Sequence, residues 1–453
     1  MFSKKDNKFV FFWLPYDVKY THTTFLTSFY LSLDRFPLES SIHIGQEKIF
    51  DVPHQDIPKN WLASYNANIP TLDILNSVEK VFIDTKIFQD LEDKYKSKNI
   101  VWSKLLTERY LPLEALIIDI FNDLKSNCDI SAVVLWCNIP SVKFVAEKLG
   151  LRVIHNEMGP LRAPDYIGTC YFDFQGVNGN TELKQRFDTL NVTSMEPVNN
   201  NFDRDYLLRL FRVNEPPEPA NLEEIFDIGV PLQVEDDSNI LAFSNGFSNY
   251  ELIRYCRSLS NNVLIRKHPS GYVDYSEITP SSEKLSPQEF IIKSKEIVTI
   301  NSSIGIEAIL YGKKVVILGD SPFKLFSECA DQEYTIKALN FSLLNYIVPL
   351  EFLYNKEYYD WRLNNPSEND IYDCHLKYYL VQLAEREMLN NEIKEMINES
   401  NRKIDELART VDDLKLEVQK LNKFIDEADL KIKNKSFGLN IKNLKALINK
   451  KMP

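Results

Sequence analysis

The chain predicts an α/β protein with two doubly wound halves and a long helical C-terminus. Three observations carry this. Short β-rich runs alternate with helical segments in two separate series. A Pro-rich acidic stretch, Asn214-Glu215-Pro216-Pro217-Glu218-Pro219-Ala220, divides them as a linker. A heptad pattern then replaces the alternation.

In the first series, Phe9-Val10-Phe11-Phe12-Trp13-Leu14 reads as a buried strand ending at Pro15-Tyr16-Asp17. Runs at 80–83, 132–136 and 151–154 read as further strands, and 111–124 and 141–149 as helices. Gly150 closes the second of these helices at its C′ position. The second series has β-rich runs at 240–243, 263–265, 297–300 and 315–318 with helices between them. Two Rossmann-like halves joined by a linker face a cleft, the GT-B type of architecture, with a donor nucleotide expected in the second half.

A length of 453 residues suits two or three domains, and 44% hydrophobic content is enough for real cores. A net charge of −12 excludes a general nucleic-acid binder. The cysteines, Cys128, Cys137, Cys170, Cys256, Cys329 and Cys374, form no C-x-x-C pair. They are expected as buried free thiols, without a zinc site or disulfide framework. The apolar run after Met1-Phe2-Ser3-Lys4-Lys5 is too short for a secretory signal, and no run spans a bilayer. Any membrane contact is therefore expected to be peripheral, on a cytoplasmic protein.

Residues 383–435 change character. From Ile404 the apolar steps alternate three and four: Ile404, Val411, Val418, Ile425 and Ile432 at a, and Leu407, Leu414, Leu421 and Ala428 at d. β-Branched a residues with Leu at d favour a parallel dimer, with a trimer as the other arrangement and packing against the body as the third. About 50 helical residues would span roughly 75 Å. The tail at 436–453 interleaves Phe437, Leu439, Ile441, Leu444, Leu447 and Ile448 with Lys442, Lys445, Lys450 and Lys451. Such a basic amphipathic segment suits an anionic membrane surface, and paired copies would bind avidly.

Three blocks can carry chemistry. Asn301-Ser302-Ser303-Ile304-Gly305-Ile306-Glu307-Ala308 joins a β run to a helix, and a helix start with free N–H groups suits a phosphate. Upstream, Arg266-Lys267-His268-Pro269 offers a cationic turn for a phosphate or base. His155-Asn156-Glu157-Met158-Gly159-Pro160-Leu161-Arg162 follows a strand, where α/β sheets place reactive groups. Glu157 is there a candidate general acid or base, against the plain reading of a solvated loop glutamate. Arg162 is a candidate fork for a carboxylate or phosphate.

The third block is Pro231-Leu232-Gln233-Val234-Glu235-Asp236-Asp237-Ser238. Its acids form a solvated turn, a metal site, or a single carboxylate acting opposite Glu157. The spacing is not the Asp-x-Asp that a metal site usually wants. His22 and Asp17 lie near the end of the first strand as weaker acceptor-side candidates.

Taken as an ordered set, Asn156-Glu157-x-Gly159-Pro160-Leu161-Arg162, Phe172-Asp173-x-x-Gly176-Val177-Asn178, Leu232-Gln233-Val234-x-x-Asp237-Ser238, Lys267-His268-Pro269 and Asn301-Ser302-Ser303-x-Gly305-x-Glu307-Ala308 resemble the bacterial retaining β-Kdo transferases of capsule and lipopolysaccharide synthesis. The resemblance covers roughly residues 130–325. Phe174 departs from it, where relatives often carry proline.

The resemblance implies a GT-B fold, a CMP-Kdo donor, and double displacement with an aspartate nucleophile and a glutamate acid/base. These carry onto Asp237, with Asp236 adjacent as runner-up, and onto Glu157. It implies that His268, Pro269, Ser302 and Ser303 hold the CMP, that Glu307 reaches the ribose, and that no metal or other cofactor is needed. Arg162, Arg266 or Lys267 would neutralise the sugar carboxylate or the phosphate.

The expected layout is an acceptor-side half at 1–215, a donor half at 222–350, a helical return at 351–382, a coiled coil at 383–435 and a membrane-binding tail at 436–453. The expected activity is Kdo transfer to a lipid-linked O-antigen or capsule glycan at the inner face of the inner membrane. The coiled coil would space the catalytic heads from that surface. A different CMP- or UDP-sugar enzyme, such as a sialyltransferase or epimerase, and a non-catalytic coiled-coil scaffold are the alternatives.

Overall fold

Strand β1 (Asn7–Phe12) is the hub of the first sheet. Phe9, Val10, Phe11 and Phe12 are all fully buried, as a parallel strand covered on both faces requires. In the computed structural model, which describes residues 7–16, 18, 21–53, 56–193, 201–214, 224–275, 277, 285–328 and 331–448, β1 pairs in parallel with two strands. These are β2 (Ser41–Gly45) on one side and β4 (Asp129–Trp136) on the other.

β3 (Lys80–Phe82) extends the sheet beyond β2, and β5 (Val153–Met158) extends it beyond β4. These five strands run parallel. β6 (Thr169–Asp173) then pairs antiparallel with β5. The second sheet has the order β10-β9-β7-β8, all parallel, from β7 (Phe226–Pro231), β8 (Val263–Arg266), β9 (Ser294–Thr299) and β10 (Lys314–Ile317). The α/β class is thus observed, with parallel strands dominant.

The structure differs from the sequence reading in four places. The run 240–243 is helix Ser238–Phe243, not a strand. Asp237 caps this helix, and its carbonyl accepts the N–H of Leu241. The first strand of the second sheet is instead β7, whose Gly229 could not carry a Cβ: Ser294 Oγ would lie 2.5 Å away.

β5 begins and ends later than the run 151–154. Pairing with β6 (His155 with Asp173, Glu157 with Tyr171) draws His155, Asn156 and Glu157 into the strand, so Glu157 is not in a loop. Finally, β11 (Ile347–Pro349) returns to the first sheet and pairs antiparallel with β6, inside the range expected for the second half. Residues 161–193 and 201–211 also share an apolar core with the second sheet through Leu161, Phe187, Leu207, Phe290 and Ile306.

The chain divides into two units, residues 1–383 and 384–453. Within the first, the returning segment is pinned to the first sheet. Tyr359 donates to Asn156 Oδ1 at 2.8 Å, and Asn156 Nδ2 donates to the Tyr171 carbonyl at 2.9 Å. Arg186 and Glu368 form a bidentate pair at 2.7 and 2.9 Å.

The second unit lies on one continuous helix, Glu368–Ile448. From Ile393 to Ile425 its heptad residues stand 44–65% exposed, an apolar stripe without cover in the single chain. Side chains beyond 433, including the apolar and basic residues of the tail, lie outside the described residues, as do Asp17, the side chain of His22, Cys329 and linker residues 215–220. The other five cysteines are free thiols. Among the described residues, no helix is long and apolar enough to cross a membrane.

Candidate functional site

All five parallel strands of the first sheet end at one edge, as do the four of the second. The blocks singled out in the sequence stand along these edges, where α/β sheets bind ligands.

Glu157 is the penultimate residue of β5 and is half-buried. Burial pushes its carboxyl up to about 7; Asp237 adds to this, while Arg162 and the Met158 N–H oppose it. A carboxyl titrating near neutrality suits proton transfer. Arg162 folds back over the same hairpin, with Nε donating to the Gly159 carbonyl at 2.6 Å. Gly159 is obligatory here, because a Cβ would meet Thr169 Oγ1 at 2.2 Å. Thr169 in turn clasps Leu161, donating to its carbonyl and accepting its N–H.

Asp237 comes from the opposite half, on the loop after β7. Its Oδ1 accepts the Asn239 N–H at 2.8 Å, so the carboxylate is held at the start of a helix with its face exposed. Surrounding protein pushes its carboxyl above the usual range, against Asn239, Arg162 and His268, which pull it down. The charges felt by both Glu157 and His268 include Asp237. Asp236 is 9% exposed, with Oδ1 lacking a hydrogen-bond partner among the described residues. Glu157, Arg162, Asp237 and His268 therefore lie within electrostatic reach of one another.

His268 Nδ1 accepts the Ser270 N–H at 3.1 Å. In the neutral ring, Nε2 then carries the proton as a donor. Burial and Arg266 lower its pKa, so the neutral form is favoured near pH 7. Pro269 is exposed in the turn that Gly271 closes by donating to the His268 carbonyl. Lys267 pairs with Asp274 at 3.6 Å. Arg266 Nε donates to the Leu285 carbonyl at 3.1 Å, and its charge is felt by both His268 and Glu307.

The Ser302-Ser303 junction is less open than the sequence implies. The Ser302 N–H donates to Thr299 Oγ1, the Ile304 N–H to Ser302 Oγ, and the Gly305 and Ile306 N–H groups to the turn carbonyls of Ser302 and Ser303. Both serines remain half-buried. Glu307 is half-buried and is pushed up to about 7 by burial. Tyr166, Arg266 and Arg212 draw the value back.

Several residues that shape the site escaped the sequence reading. Gln233 joins Asn301 by two hydrogen bonds, and Asn249 donates to the Gln233 carbonyl at 2.8 Å, to Glu235 Oε1 and to Tyr275. This network fixes the loop that carries Asp237. Gln233 and Asn301 stood inside the quoted motifs, and a polar residue closing an apolar run was the available signal. Tyr65, half-buried in the first half, lies close enough that both Arg162 and Glu157 act on its hydroxyl. No local pattern marks it.

The turn after Asp173 is held by its carboxylate, whose Oδ1 accepts Gln175 and Gly176 N–H groups and whose Oδ2 accepts Glu182 N–H and Tyr346 O–H. Phe174, the departure noted in the sequence, packs edge-on against Phe172 and under Arg152. The two halves touch directly. Ser103 Oγ donates to the Leu241 carbonyl at 2.7 Å, and a Cβ on Gly179 would meet Phe243 at 2.9 Å. The helix that Asp237 caps is therefore braced from the side of Glu157.

Among the described residues, no group of three or more His, Cys, Asp or Glu is placed to hold a metal ion.

Solved structures similar to this chain include two of Thermosulfurimonas dismutans KpsC. The β-Kdo 2,7-transferase is 14% identical with a TM-score of 0.38, covering 75% of this chain and 91% of that one. The β-Kdo 2,4-transferase is 15% identical with a TM-score of 0.36, covering 48% and 81%. UDP-bound MnaA of S. aureus is 10% identical with a TM-score of 0.27, covering 79% and 97%. No curated protein matches. Residues 5–182 match the sequence model of the Glycosyltransferase 99 family N-terminal domain.

Proposed function

We propose that this protein is a GT-B-type retaining β-Kdo transferase that moves Kdo from CMP-Kdo to a lipid-linked surface glycan. The observation that supports the reading most is that Glu157 of the first half and Asp237 of the second lie within electrostatic reach of each other and of Arg162, with His268 within reach of Asp237 and Arg162. The glycosyltransferase domain match over residues 5–182 supports it.

In this reading, an Asp237 oxygen attacks the anomeric carbon of Kdo as the bond to the CMP phosphate breaks, and CMP leaves with the bonding pair. The acceptor hydroxyl then attacks that carbon from the opposite face, gives its proton to Glu157, and releases the Asp237 carboxylate. Two inversions give retention. The His268 Nε2–H and Arg266 meet the CMP phosphate, with Ser302, Ser303 and Glu307 on the nucleotide side. Arg162, bridging the charges of Glu157 and Asp237, meets the sugar carboxylate. Lys267 has a smaller part because Asp274 engages it. The reading assigns no role to a metal.

The exposed heptad stripe supports self-association as a parallel coiled coil, dimer or trimer. With the basic tail on an anionic membrane, this would hold the heads at the inner face of the inner membrane, at a set distance.

A donor panel tests the proposal. CMP-Kdo is expected to be turned over, and CMP-sialate and UDP-sugars are not. Preferred use of either of the latter would move the assignment to another nucleotide-sugar enzyme.

A further inference from the structure

The first half holds a cavity of about 840 Å³ that none of the chemistry above uses. Its walls come from the chain just beyond β1 (Tyr16), β2 (Gln46) and β3 (Ile83), and from the helix at Gln89–Tyr95. It therefore opens at the same strand edge that presents Glu157. The size is that of a specific small-molecule site.

Its chemistry is mixed in a particular way. Gln46 is 3% exposed and Gln89 is exposed, giving amides at two depths. Tyr16 and Phe82 supply aromatic surface, and Phe82 stands 54% exposed. Three lysines (48, 86, 98) and three acids (47, 84, 92) line it, so the lining charges cancel. A phosphate or an acidic polymer would meet as much repulsion as attraction there. Amides, aromatic faces and balanced charge suit a neutral, hydroxyl-rich ligand, that is, a saccharide.

Position sets what part of a saccharide this is. In the order β5-β4-β1-β2-β3, the cavity lies two to four strands from Glu157. At about 4.8 Å per strand that is about 10–19 Å, more than one sugar ring away. The cavity also adjoins the contact between the halves. Lys98 on its rim starts helix Lys98–Thr107, and Ser103 of that helix donates to Leu241 behind Asp237.

We infer that this cavity binds neutral sugar residues of the acceptor, two or more units back from the hydroxyl that reacts, so that the enzyme reads an oligosaccharide rather than a terminal sugar. The inference rests on the glycosyltransferase reading. Acceptors shorter than about three residues leave the cavity empty and bind weakly; longer ones gain contacts at Phe82 and Gln89.

The test uses the full chain with CMP-Kdo and tagged mono-, di-, tri- and tetrasaccharides, cut from the neutral backbone of the host's surface polysaccharide and size-fractionated. The expected result is a KM at least ten-fold lower for the tri- and tetrasaccharide than for the monosaccharide. Phe82→Ala and Gln89→Ala, both at exposed positions, should erase that gain while leaving the monosaccharide KM unchanged. A KM independent of length, or an equal loss for every length in the variants, overturns the inference.

Saturation-transfer NMR with the same tetrasaccharide separates this from a failure of the activity. Binding that Phe82→Ala abolishes supports the cavity even if CMP-Kdo is not the donor. Equal binding to both proteins refutes the cavity even if CMP-Kdo is the donor.

Discussion

Gln233 and Asn301 clasp each other across the second sheet: Gln233 Nε2 donates to Asn301 Oδ1 at 2.9 Å, and the Asn301 N–H donates to Gln233 Oε1 at 3.2 Å. Asn301 Nδ2 also donates to the carbonyls of Asn239 and Phe243, on the helix that Asp237 caps. One side-chain pair therefore ties the ends of β7 and β9 to the helix that Asp237 caps. Removing either partner leaves a buried amide or N–H without its bond, at a cost of about 1–3 kcal/mol. Gln233→Ala is expected to lower kcat by at least ten-fold with a smaller change in the KM for donor, read by steady-state kinetics. Unchanged kcat would mean that the clasp does not position Asp237.

The raised carboxyl of Glu157 has opposite consequences for stability and rate. An acid whose folded pKa lies above its unfolded value destabilises the fold as pH rises from about 4.5 through about 7. Glu157→Gln removes that loss. The variant should match the parent near pH 4.5 and exceed it by ~3 kcal/mol at pH 8 in chemical denaturation. Under the proposed mechanism activity should run the other way: Glu157 acts as a base only when ionised, so the parent's rate should climb with pH through about 7 and the glutamine variant should be nearly inactive throughout.

Glu368 anchors the start of the long helix by its paired bonds to Arg186, whose side chain is 13% exposed. Glu368→Ala strands a buried guanidinium and is expected to destabilise the first unit by ~3–5 kcal/mol. Replacing both partners with leucine should recover most of this. Denaturation of the single and double variants checks it; a double variant as unstable as the single would refute the stranded charge as the cause.

The uncovered stripe on the second unit predicts self-association. Sedimentation equilibrium should find the full chain as a dimer or trimer, and Val411→Asp with Leu414→Asp as a monomer. Turnover of a soluble acceptor should survive the change, because the site lies wholly in residues 1–383. A monomeric parent would assign the stripe some other partner.

Much of the fold was legible in the sequence because buried parallel strands are continuous apolar runs, as at 9–12 and 132–136. Residues 240–243 misled for the same reason: Ile240, Leu241, Ala242 and Phe243 look like such a run, but the Asp237 cap turns them into a helix. The position of Glu157 was legible to within a few residues, but its strand was not. The pairing that extends β5 comes from β6, a non-local partner that local periodicity does not contain. β11 returns from beyond the second sheet for a reason that only the three-dimensional chain shows. The charges at Arg162, Asp237 and His268 stood out as types; Tyr65 did not, since its relation to Glu157 exists only after folding.

The central claim is that Asp237 takes the sugar and Glu157 activates the acceptor hydroxyl that removes it. Intact-mass spectrometry of the full chain after incubation with CMP-Kdo, without acceptor, tests this most directly. The account predicts a single added Kdo on the parent, accumulation of the same adduct on Glu157→Gln even when acceptor is supplied, its absence on Asp237→Ala, and peptide mapping of the adduct to Asp237. Full transfer activity in Asp237→Ala, or an adduct mapped to Asp236, would contradict it.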